Sequence, residues 1–144
     1  MKAKASWKLN DGGREQAGYK GRAGDCVTRA IAIAMERDYK TVYDDLAKLN
    51  KATGLSKSAR KGVQKSVWKP YIESQGWVWV PTMTIGSGCK VHLRPDELPK
   101  GRIICRLSKH LCSVVDGVVQ DTYDCSRKGT RCVYGYFVKA EQAK

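Results

Sequence analysis

"HLCSVVDGVVQDTYD", residues 110–124, carries the strongest fold signal in the chain. Asp116-Gly117 sits between two Val pairs, and Asp-Gly favours the positive φ angles of a two-residue type I′ hairpin turn. With that turn, Val115 faces Val118, Val114 faces Val119, Cys112 faces Asp121 and His110 faces Tyr123. Strand side chains alternate, so His110, Cys112, Val114, Val119, Asp121 and Tyr123 share one face. Asp121 becomes the diagonal neighbour of His110, placed to orient an imidazole, and Asp124 points to the other side. A turn at another position would shift the faces and bring Asp124 into that role instead.

Outward from the hairpin, the residues from "GWVWV" (76–80) onward become β-branched and aromatic, and "GRIICRL" (101–107) reads as a central strand. Trp68, Trp77 and Trp79 read as core and cleft-wall residues. Residues 25 to 75 have helical periodicity instead. Val27, Ala30, Ile31, Ala34 and Met35 make one apolar stripe, with Asp25 at the N-cap position. A second helix is expected from Thr41, whose T-x-x-D spacing to Asp44 resembles a capping box, with Val42, Leu46 and Leu49 as its buried side. A third, about 57 to 68, is expected to end or kink at Pro70. On it Lys57, Lys61 and Lys65 lie opposite Val63 and Val67. Helices followed by strands make an α+β domain spanning residues 1–144, helices packed on a C-terminal antiparallel sheet. Residues 19–138 are its expected core, with 1–18 and 139–144 as flexible tails.

A chain of 144 residues with 42% apolar composition suits one globular domain. No apolar run reaches the roughly 20 residues that span a bilayer, and the N-terminus lacks a secretory h-region, so a cytoplasmic protein without membrane partners is expected. The six cysteines are accordingly expected as reduced thiols. Cys105, His110, Cys112, Cys125 and Cys132 cluster in sequence, but the C-x4-H-x-C and C-x6-C spacings match no common structural zinc pattern, and no metal is expected. Neither a Walker loop nor a dinucleotide fingerprint is present, so no cofactor is expected either. The net charge of +13 points to an acidic partner. It is concentrated, with six Lys or Arg and no acid between Asn50 and Glu73.

"GDCVTRAIAIAM" (24–35) places Cys26 in the first turn of a helix, where the positive end of the macrodipole and a nearby imidazolium lower a thiol pKa. Asp25 beside it opposes that effect. Of the two histidines, His92 has no carboxylate partner that spacing supplies, whereas His110 has Asp121. Cys112, on the His110 face, is a rival thiol in mid-strand. Cys89, in the loop "TIGSGCKVH", reads as part of a turn.

A Cys on an N-terminal helix followed by a His and an Asp on a C-terminal sheet resembles the papain-like cysteine peptidase fold, through "GDCVTRAIAIAM", "KHLCSVVDG" and "VVQDTYD". The opening and ending stretches also look like small bacterial and phage proteins of this general type. The resemblance implies Cys26 as nucleophile, His110 as general acid and base, and Asp121 as the orienting residue, acting on a peptide or protein substrate. In that family the oxyanion is held by the nucleophile's backbone N–H and a glutamine about six residues upstream. Here that position is Lys20, with Gln16 further back. The contrasting expectation is an inactive binding module whose Lys57, Lys61 and Lys65 contact nucleic acid or another acidic partner.

Overall fold

The computed structural model describes residues 6–18, 26–52, 65–83, 86, 88–108, 110–126 and 129–140. Three helices, α1 (Cys26–Met35), α2 (Tyr39–Ala52) and α3 (Lys65–Ser74), accompany six strands. The strands are β1 (Ser6–Leu9), β2 (Trp77–Pro81), β3 (Arg102–Leu107), β4 (His110–Val115), β5 (Val118–Asp121) and β6 (Gly135–Lys139). They form one sheet in the order β1-β5-β4-β3-β6-β2. Every neighbouring pair is antiparallel except β1 and β5, so the α+β sheet is mixed rather than antiparallel throughout.

The β4–β5 hairpin has the register that Asp116-Gly117 dictates, with Val115 opposite Val118 and Val114 opposite Val119. Asp116 and Gly117 have φ of 50° and 82°, the two positive angles of a type I′ turn. A Cβ on Gly117 would meet the Pro95 ring, a second reason for glycine there.

Both faces of the sheet are covered, and period-two alternation divides the core. Ile104, Leu111 and Phe137 face the helices, where they pack with Ile31, Val42, Leu46 and Ile72. Ile103, Cys105, Cys112, Val114 and Val138 point the other way, onto Leu93, Leu98, Cys125 and Val133 from the loops. Burial on both faces explains why Ile103, Ile104 and Cys105 form a consecutive apolar run at the centre of β3 rather than an alternating one.

Several local expectations are corrected. Residues 6–9, expected in a flexible tail, form an edge strand, and the following loop packs Gly12 against Arg29 and Ile33 of α1. That second cover is why α1 is buried all round from Val27 to Ala34 and not along one stripe. Helix α2 begins two residues before Thr41, because Asp38 is its cap: Asp38 Oδ2 accepts from the Thr41 N–H at 3.1 Å and from the Thr41 hydroxyl at 3.2 Å. Asp44 instead pairs with Lys40. Leu49 is exposed, and Asn50 takes the buried position on that turn.

Helix α3 continues through Pro70 to Ser74, since Trp68, Tyr71 and Ile72 are buried and the Tyr71 hydroxyl donates to Asp45 Oδ2 at 2.7 Å. The proline lacks the N–H that would bond the Ser66 carbonyl, and both Ser66 and Pro70 are exposed, so the loss falls on the solvent side of the helix. Asp25, Lys57, Lys61 and Val63 lie outside the described residues, and Lys65 is exposed at the start of α3. Cys89 and Cys132 are joined in a disulfide, against the expectation of reduced thiols throughout. Antiparallel pairing of His92 with Cys132 brings the two segments together.

Gly135 sits under the Trp79 indole, which itself packs on Phe137 with ring centroids 4.9 Å apart. A Cβ there would collide with the indole, so Gly135→Ala is expected to cost about 1–3 kcal/mol by overpacking. Denaturant unfolding of the variant checks this.

Candidate active site

The site lies where the first turn of α1 meets the start of β4 and the end of β5. Cys26 is the first residue of α1, and its thiol lies near enough to the His110 side chain to feel its charge. His110 opens β4, and its Nε2 stands 2.7 Å from Asp121 Oδ2 at the end of β5. That contact leaves Nδ1 as the nitrogen that can exchange a proton with a thiol. The structure therefore brings Cys26, His110 and Asp121 together, although 84 positions separate Cys26 from His110 in the chain.

Asp121 is held at both oxygens and at its carbonyl. Oδ1 accepts from Arg29 Nη2 at 3.2 Å and from the Thr122 N–H at 2.7 Å, so Oδ2 is left for His110. The Asp121 carbonyl accepts from Trp7 Nε1 at 3.2 Å and from the Asn10 N–H at 2.9 Å. Asp124 is committed elsewhere, its Oδ1 accepting from the Ser126 N–H and hydroxyl.

Burial penalises each charge here, and the neighbours outweigh it. For Cys26, burial raises the thiol pKa. The hydrogen bond and charge of His110, a Leu111 backbone N–H and Arg29 bring it below the ordinary thiol value. For His110, burial acts downward, but hydrogen bonds with Asp121, Cys125 and Cys26 push its pKa up to about 11. For Asp121, burial acts upward and is overcome by His110, the Thr122 N–H and Arg29, which hold it below the usual carboxylate range. All three shifts favour a thiolate, an imidazolium and a carboxylate in a row. Tyr123 packs beside the imidazole at 5.7 Å between centroids.

Cys112 is not placed as a rival nucleophile. It is buried between Cys105 and Cys125, and its hydrogen bond with Cys105 pushes its pKa up. Gln16 is exposed and lines a surface recess with Leu9, Asn10, Asp11, Gly13 and Glu15. Lys20 lies outside the described residues. His92 does have a carboxylate partner, contrary to expectation: Glu97 folds back so that its Oε1 lies 3.1 Å from His92 Nδ1 and accepts the His92 N–H.

Sequence reasoning missed Arg29, and it weighed Cys125 only within a zinc cluster that spacing ruled out. The signal for Arg29 was available, as the one charged residue of α1, a helical turn after Cys26. Cys125 follows the hairpin in an irregular loop, where no periodicity announces its direction. Among the described residues no helix is long and apolar enough to cross a membrane. Compared with protein-family models, with curated proteins and with solved structures, the chain gives no match.

Replacing Asp121 with Asn leaves two buried cations without their counter-charge, a change that costs about 3–5 kcal/mol. His110 has a folded pKa above its unfolded one, so its contribution is complete below the ordinary value of 6.5 and is lost as the pH rises through about 11. The stability gap between wild type and Asp121→Asn is therefore expected to shrink between about pH 6 and pH 11 in urea titrations. A gap that widens over that range contradicts the assignment.

Proposed function

We propose that the protein is a cysteine-dependent acyl hydrolase or transferase of papain-like type, acting on an amide or thioester in a peptide or protein substrate. The observation that supports it is the chain of contacts from Cys26 through His110 to Asp121, with the thiol at a helix N-terminus.

The chemistry follows from those positions. The Cys26 thiolate attacks the acyl carbon, forming an S–C bond, and the carbonyl oxygen takes up negative charge. The first backbone N–H groups of α1 have no partner within the helix, so they are available to that oxygen along with the positive end of the dipole. His110 gives its proton to the departing amine or thiol as the old acyl bond breaks. Water, or an acceptor nucleophile, then attacks the thioester and yields its proton to His110, and Cys26 leaves as the thiolate. Asp121 keeps the imidazole oriented and charged, and Arg29 and the Thr122 N–H keep Asp121 in place.

Site-by-site alkylation with iodoacetamide, read by mass spectrometry, is expected to show Cys26 reacting fastest, with a midpoint below about 8.5 that rises in His110→Ala. Turnover of fluorogenic peptide amides and thioesters is expected to vanish in Cys26→Ala and to fall by up to about 10^4-fold in Asp121→Asn, the scale seen when a triad loses its carboxylate. Retained turnover in Cys26→Ala would sink the reading. Salt-sensitive nucleic-acid binding that ignores Cys26→Ala, with no turnover, would favour the basic binding module instead.

A further inference from the structure

The acyl-transfer chemistry leaves one thiol beside the imidazole unused. Cys125 is buried, with 1% of its surface exposed, and its Sγ lies beside the His110 ring. A nitrogen of His110, a carboxylate oxygen of Asp121 and Sγ of Cys125 all lie within 4.8 Å of one another. We infer that these three residues form a site for a thiophilic divalent cation of the zinc type, which competes with proton transfer for the one imidazole.

Three features favour a cation over a mere cluster of polar groups. Nitrogen, oxygen and sulfur ligands at zinc-like bond lengths sit roughly 3.3–3.8 Å from one another around a tetrahedral ion, so the Nε2–Oδ2 pair, 2.7 Å apart, has to open by about half an ångström while every separation in the group already lies within 4.8 Å. The ligand set of one imidazole, one carboxylate and one thiolate matches borderline metals and balances the charge of a dication. Asp121 is also already oriented from behind, because Arg29 and the Thr122 N–H bind Oδ1 and leave Oδ2 facing His110. Such outer contacts are what positions a ligating carboxylate in metal sites.

The exchange balances without a redox step. The cation displaces the proton on the coordinating imidazole nitrogen and the proton of the Cys125 thiol, and both pass to solvent. With the ion bound, His110 can no longer shuttle a proton, so the loaded state is an off state. That consequence rests on the proposed function, whereas cation binding does not.

The test uses the full chain after EDTA treatment, titrated with Zn2+ and, for its thiolate charge-transfer band, with Co2+. One ion is expected per chain, with Cys125→Ser weakening binding about tenfold or more, at least the cost of losing an outer-shell partner. Cys26→Ala is expected to keep both the affinity and the Co2+ band while abolishing any acyl transfer, which separates this site from the catalytic reading. X-ray absorption at the zinc edge of the wild type is expected to show one sulfur at about 2.3 Å. This measurement stands even where Cys125→Ser fails to fold. Absence of binding, a zinc shell with no sulfur or with several, or undiminished affinity in a folded Cys125→Ser overturns the proposal.

Discussion

Asp121 is the point on which the architecture closes. Its side chain joins β5 to β4 through His110 and to α1 through Arg29, and its carbonyl anchors the N-terminal segment through Trp7 and Asn10. A buried carboxylate is costly unless its lone pairs are met by charge-assisted donors. Here they are met by an imidazolium, a guanidinium and a backbone N–H. One residue at the end of a short strand thus fixes where the helix, the hairpin and the edge strand stand relative to one another.

That closure also sets the electrostatics at Cys26. The helix start and the imidazolium act on the thiol from one side, and Arg29, one turn along α1, adds positive charge. Arg29 has two effects that oppose each other at His110. It steadies Asp121 and competes with the imidazole for its charge. Because Arg29 binds Oδ1 and His110 binds Oδ2, the competition is divided between two oxygens and the orientation of the imidazole is kept. A second thiol at the same imidazole means that His110 stands at a junction, and what Cys125 holds, a proton or a cation, bears on what Cys26 can do.

Much of the sheet was legible because its signals are local. Asp116-Gly117 sets two positive φ angles, those angles set the register, and the register places Asp121 diagonal to His110. The helices were legible in existence but not in their ends, for Asp38 caps α2 at Thr41's own N–H and so places Thr41 inside the first turn. Pro70 was misleading because the buried Trp68, Tyr71 and Ile72 offset one lost hydrogen bond. Glu97 was missed as a partner of His92 because a turn around Pro95, rather than a regular period, brings it back.

By itself the sequence determined what short-range chemistry controls: an amphipathic helix opening at Cys26, a hairpin turning at Asp116-Gly117, and the face on which His110 and Asp121 meet. Only the tertiary structure decided the meetings between distant segments. Residues 6–9 became a strand because β5 offered a free edge, Cys89 found Cys132 across an irregular loop, and Arg29 and Cys125 converged on the site. The physical reason is that local preferences act through fixed backbone periods, whereas contacts between distant segments depend on how the packed core brings them together.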